Sequence, residues 1–145
     1  MKRIVKKGIK LFIIIVILLV LITVFCRGGW KLFGFALCNA PNGMYADNIT
    51  VEDGRVDLRL NEAYSISSYA GYVYKIEDDN LFIGVNRNML FAAFNGKVDY
   101  HISVLTNGTR IKNIYFKDNK NDWLIWNEEE GKIKASDIQP QNYRH

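Results

Sequence analysis

Residues 71–85 read GYVYKIEDDNLFIGV. Tyr72, Tyr74 and Ile76 recur at every second position, which places them on one face of an extended strand. Glu77-Asp78-Asp79-Asn80 is a polar turn. Leu81, Ile83 and Val85 then return with the same alternation. Aromatic and β-branched residues fill both arms, as strands prefer. The stretch predicts a β-hairpin.

The same pattern extends on either side. Upstream, Ile49 and Val51 alternate, Asp53-Gly54 is a two-residue turn signal, and Val56, Leu58 and Leu60 follow between Asp57 and Arg59. Downstream, residues 86–97 contain Met89, Leu90, Phe91 and Phe94, end in Asn95-Gly96, and fit an irregular loop or a short strand. Val98 to Leu105 reads as a strand with Val98, Tyr100, Ile102 and Val104 on one face. Asn107-Gly108 turns the chain. Ile111 to Phe116 and Trp123 to Trp126 read as the last two strands, separated by Lys117-Asp118-Asn119-Lys120-Asn121. In the last strand strict alternation puts Trp123 and Ile125 on one face, Leu124 and Trp126 on the other. A strand apolar on both faces is covered on both, or one face meets a partner or a membrane. Turns at this spacing predict a mainly β domain over residues 48–127, a small antiparallel β-sandwich or barrel. Residues 128–145 open on Glu128-Glu129-Glu130, hold few large apolar side chains and read as a flexible tail.

The N-terminus follows another logic. Residues 11–26, LFIIIVILLVLITVFC, carry no charge and one polar side chain, Thr23. Fourteen of these 16 residues are Leu, Ile, Val or Phe. At roughly −0.3 to −0.6 kcal/mol each on an insertion scale, they sum to about −4 to −8 kcal/mol. The run predicts a transmembrane helix over 11–26, lengthened by Ile9 if Lys10 snorkels. Lys2, Arg3, Lys6, Lys7 and Lys10 precede it without an acid; only Arg27 and Lys31 follow closely. By the positive-inside rule residues 1–10 form a cytoplasmic basic tip, and the C-terminal domain lies outside, in a single-pass arrangement at the cell membrane. A cleaved signal peptide or a lipidated cysteine is the alternative. Bulky Phe25 and Leu37, before Cys26 and Cys38, stand where either alternative wants a small residue.

Removing the anchor changes the charge. The whole chain carries a formal +4, but residues 27–145 hold 14 basic and 15 acidic residues, net −1. The basic character belongs to the tip, so nucleic acid is not an expected partner. Residues 27–47 form a juxtamembrane linker with Trp30, Leu32, Phe33, Phe35, Leu37, Met44 and Tyr45 among helix-breaking Gly28, Gly29, Gly34, Pro41 and Gly43. Trp30 fits either an interfacial anchor or a side chain packed on the domain. Cys26 and Cys38 can form one disulfide across a juxtamembrane loop or remain two free thiols.

The stretches Gly71 to Ile76, Leu81 to Val85, Ile111 to Asp118 and Leu124 to Trp126 resemble a family of short, uncharacterised membrane-anchored proteins of Gram-positive bacteria. The resemblance covers roughly Tyr64 to Trp126. It implies a β domain outside the cell, tethered by a helix or a lipid, and brings no catalytic residue to carry over.

Residue types for chemistry are sparse. His101 and His145 are the two histidines, too few for a zinc set with the cysteines near the membrane. His101 is expected on the polar side of its strand. Asp78-Asp79-Asn80 lacks the spacing of a calcium loop. Ser65, Ser67 and Ser68 have no nucleophile elbow. Aromatics in the strands suit core packing or a stacking platform. These readings lead to a membrane-tethered, extracytoplasmic binding module of the cell envelope, not an enzyme, without cofactor or metal. The lipid bilayer and another membrane or envelope protein are the expected partners. Trp126, Trp30 and Phe33 are candidate contacts. The rival readings are an accessory subunit of a membrane complex and a cell-wall enzyme.

Overall fold

The computed structural model describes residues 2–39, 44–62, 69–87, 100–134, 137 and 140–141. The expectations for Pro41, Gly43, Ser65, Ser67, Ser68, Met89, Leu90, Phe91, Phe94, Asn95-Gly96, Val98 and His145 lie outside these residues.

The chain begins as helix α1, Lys2–Arg27. Its stretch Lys7–Arg27 is 21 residues long, unburied, and apolar enough to cross a membrane; a signal sequence would share those properties. At roughly 1.5 Å per residue it measures about 32 Å, close to the hydrocarbon thickness of a bilayer. Gly28 breaks the helix, and Gly29–Leu37 follows as a 3-10 helix kinked at Gly34 (φ 55°, ψ −133°). That backbone conformation excludes side chains with a Cβ, so the glycine sets the kink.

The β strands then run as β1 Met44–Glu52, β2 Arg55–Glu62, β3 Tyr69–Glu77, β4 Asn80–Arg87, β5 His101–Leu105, β6 Asn113–Lys117, β7 Asp122–Asn127, β8 Gly131–Lys132 and β9 Pro140–Gln141. They make two sheets. The first has the order β1-β2-β5; the second has the order β3-β4-β6-β7-β8, with β9 also on β7. Neither sheet closes on itself, so the domain is sandwich-like. The predicted hairpins around Asp53-Gly54 and Asp78-Asp79 are β1–β2 and β3–β4, both antiparallel. One pair departs from an all-antiparallel fold: β4 and β6 are parallel. The chain leaves β4, contributes β5 to the other sheet, and returns beside β4 in the same direction. A parallel neighbour needs such a crossover.

One core fills the space between the sheets. Val56, Leu58 and Leu60 of β2 and Ile102 and Val104 of β5 face Leu81, Ile83 and Val85 of β4, Ile114 and Phe116 of β6, and Ile125 of β7. Tyr74 is an exception to its strand's alternation. It lies on β3, at the edge of the second sheet, and is 48% exposed.

The last long strand also departs from strict alternation. Trp126 pairs with Ile114 and Leu124 with Tyr115, leaving Ile125 as an extra residue in a bulge. A bulge shifts the pleat by one position. Trp123, Ile125 and Trp126 therefore all pack on the core, instead of dividing between the faces.

Within the expected linker 27–47, residues 27–39 and 44–47 are structured. The 3-10 helix lies on the outer face of the second sheet. Trp30 is 1% exposed there, and Cys38 is buried. The backbone N–H of Asn39 donates to Val85 O at 3.0 Å, beyond the point where β6 stops pairing with β4. β1 starts at Met44, four residues before the period-two pattern at Asn48. After residue 127 the expected tail adds β8 and β9 to β7.

Candidate functional site

A cleft of about 660 Å³ opens at one end of the sandwich. The β1–β2 turn supplies Glu52, Asp53 and Gly54. The loop after β5 supplies Gly108, Thr109, Arg110 and Ile111, and β7 and its exit supply Trp126 and Glu128. Pairing of β2 with β5, Arg55 opposite Leu105, brings the two turns together. The Thr106 N–H donating to Gly54 O at 2.9 Å ties them. Arg110 spans to Glu128, with Nε and Nη2 at 2.9 and 2.6 Å from Oε1. Below this loop the Glu128 N–H donates to Lys112 O, and the Lys112 N–H to Asp79 O. The Lys112 ammonium pairs with the Asp79 carboxylate at 2.6 Å. Its hydrogen bond, against slight desolvation, holds the Asp79 carboxyl below its ordinary range.

The lining thus combines the ring of a half-buried tryptophan, a guanidinium and carboxylates. Such a set can stack on a flat group and hydrogen-bond its edge. Thr109 is its one hydroxyl, and the lining contains no histidine or cysteine. Its carboxylates, on Glu52, Asp53 and Glu128, are the groups in the lining able to accept a proton.

A second polar cluster covers the outer face of the first sheet. Asp57 Oδ2 accepts from Arg55 Nε at 2.6 Å, and His101 Nε2 lies 3.3 Å from Oδ1. Ser103, opposite Asp57 in register, also bonds to its side chain. Partial desolvation raises the Asp57 pKa, but the bonds from Ser103 and Arg55 outweigh it, so the carboxyl sits below its ordinary value. Serine, histidine and aspartate are therefore close, yet the aspartate is the hub. A nucleophilic triad needs the imidazole between the other two. His101 faces solvent, with nearly half of its side chain exposed.

The three contact residues expected from sequence occupy three settings. Trp126 lines the cleft. Phe33 is 58% exposed on the 3-10 helix, and Trp30 lies beneath that helix against the sheet. Of the two readings of Trp30, the packed one describes it. Arg110, Glu128 and the two turns went unnoticed in the sequence. The turns themselves are legible as Asp53-Gly54 and Asn107-Gly108; their convergence depends on strand pairing, which local pattern does not encode. Cys26 and Cys38 are free. Among the described residues, no group of three or more His, Cys, Asp or Glu is placed to hold a metal ion. No family model, curated protein or solved structure matches the chain.

Proposed function

We propose that the chain is a membrane-tethered binding module of the cell envelope. Helix α1 is retained as a single-pass anchor with its N-terminus in the cytoplasm. The sandwich works outside, by contact and not by catalysis, through the cleft beside Trp126. The observation that carries the reading is the join between its two parts. An unburied helix, whose apolar run 11–26 follows five basic residues, passes through one residue, Gly28, into a segment packed on the domain. A released domain would have no use for so short a connection. Tethering raises the local concentration of the cleft for anything in that plane, so modest affinity suffices.

Two fusions after His145 test the topology. A reporter active only in the cytoplasm should be silent and one active only outside should work; the reverse pattern overturns the orientation. The binding site is tested by complementing a deletion strain. Arg110→Ala and Trp126→Ala should fail to reverse the deletion phenotype while the protein still accumulates, and His101→Ala should reverse it. Failure of His101→Ala alone would point to chemistry at Asp57, His101 and Ser103.

A further inference from the structure

We infer that Gly29–Leu37 lies in the plane of the membrane surface, a slab between the lipid and the second sheet, and so holds the sandwich in one fixed orientation. The inference rests on α1 staying in the bilayer as proposed above, and adds where the domain sits relative to it.

Depth carries the argument. Phe25 belongs to the apolar run of α1, two residues before Arg27. The Phe33 ring meets the Phe25 ring edge-on, with centroids 5.9 Å apart. Two rings in contact share a depth, so Phe33 lies level with the last turn of the spanning helix. Leu32, its neighbour, is 90% exposed, well above the 62% of Leu105, the most exposed large apolar residue elsewhere in the described domain. Leu37, on the same 3-10 helix, is also exposed. Water would leave this apolar surface uncovered, whereas lipid at that depth covers it at no cost.

The opposite side of the helix is built to dock. Trp30 is buried against Gly71, where an added Cβ would come within 3.3 Å of Cζ2. Phe35 and Cys38 fill the space over Gly84. The Lys117 ammonium lies 5.8 Å from the Phe35 ring centre and 5.4 Å from that of Phe82, while pairing at 2.7 Å with buried Asp122. Lys31 reaches back over Tyr72 at 5.9 Å. The helix is thus fixed to the sheet on one side and apolar on the other, the arrangement of an interfacial element. A bilayer is the occupant, and not a second protein, because the exposed side chains continue from a spanning helix at its own depth. The orientation follows: the second sheet faces the membrane, and the first sheet with Arg55, Asp57 and His101 faces away.

The test uses the full chain in vesicles of phosphatidylcholine and phosphatidylglycerol, with or without bromine on the acyl chains close to the headgroup. Leu32→Trp places a reporter on the exposed side of the 3-10 helix. Thr50→Trp places one on the outer face of the first sheet. Both positions are exposed. The expected result is that Leu32→Trp loses more emission in brominated vesicles than the parent protein and shifts to the blue, while Thr50→Trp behaves as the parent. No extra quenching at 32, in protein that stays with the vesicles through an alkaline wash, overturns the inference and leaves the tether standing. Equal quenching at 32 and 50 overturns the orientation. Loss of the protein from the vesicles in the wash overturns the tether and the inference together.

Discussion

The two outer faces of the sandwich are made from strands of the same kind and look nothing alike. On the first sheet the outward positions of β2 and β5 are Arg55, Asp57, Arg59, His101, Ser103 and the exposed Leu105, alternating with Val56, Leu58, Ile102 and Val104. On the second sheet the outward positions include Phe82, Gly84 and Tyr115. Six residues in a row, Leu81 to Asn86, are buried. The difference lies in what covers each face. Water covers the first, so its strands show a clean period of two. A neighbouring segment covers the second, and its strands read as nearly continuous apolar runs. The Phe82 and Tyr115 rings stack there at 5.1 Å. Unbroken burial along β4 is thus the local mark of a covered face, and the cover comes from the segment that joins the sandwich to α1.

The largest effect is expected where the covered sheet meets the core. Ile125 is 1% exposed and sits in the β7 bulge. Ile125→Asp buries a carboxylate with no partner, a cost of several kcal/mol that exceeds the reserve of a marginal domain. The variant should show no cooperative thermal transition. Tyr74→Asp makes the same kind of change on edge strand β3, where the ring is half exposed. It should lower stability by less than about 1 kcal/mol. If both variants unfold, β3 is not an edge and the second sheet has a neighbour along it.

The contrast between these two positions shows how far local pattern reaches. Alternation alone assigns Tyr74 and Ile83 the same environment, because both point to the inner side of one sheet. Their difference comes from strand order, which depends on pairings far apart in the chain. The hairpins, the turns at Asp53-Gly54 and Asn107-Gly108, and a helix over residues 11–26 apolar enough to cross a membrane were all legible, since each is set by neighbours within a few residues. The parallel β4–β6 pair, the bulge that turns Trp126 toward the core, and the cleft that Arg110 shares with Glu128 were not. Each arises from long-range register. The segment 27–47 reads as a linker because its glycines break any long helix; the docking of Phe35 and Cys38 depends on complementary space in a strand some 50 residues on, at Gly84.

Gly84 offers a sharper way to separate the two faces. A Cβ there would stand 2.6 Å from both Cys38 Sγ and Phe35 Cδ1. Gly84→Val therefore pushes the 3-10 helix off the sheet or strains it, at about 1–3 kcal/mol. Cys38 reports which occurs. Burial, aided by the charge of Asp118, raises its thiol to a pKa of about 11, so it should resist alkylation at pH 8 in the folded protein. Faster alkylation of Cys38 in Gly84→Val, with the β-type circular dichroism spectrum retained, would show the cover lifting while the sandwich persists. Unchanged alkylation with a lowered melting temperature would mean that cover and sheet move as one unit.

The smallest effect belongs to the open face and appears only in acid. Asp57 holds Arg55 and Ser103 on the first sheet with His101 nearby, and these bonds keep its carboxyl below the ordinary 3.8. A carboxyl depressed in the folded state stabilises that state while it is ionised. Its contribution is therefore complete above the unfolded value of about 3.9 and fades as pH falls through the lower folded value. Asp57→Asn should accordingly melt slightly below the parent protein at pH 6, by an amount typical of an exposed ion pair, under about 1 kcal/mol. The gap should narrow as pH falls through the lowered folded value and close once the parent's own carboxyl is protonated. His101 does not reverse the sign, since a protonated imidazole beside Asp57 adds to the attraction that the substitution removes. A gap that widened in acid would mean that the carboxyl is raised in the folded protein. Its partial desolvation would then outweigh its bonds, and the open face would be less open than its alternation of polar and apolar residues implies.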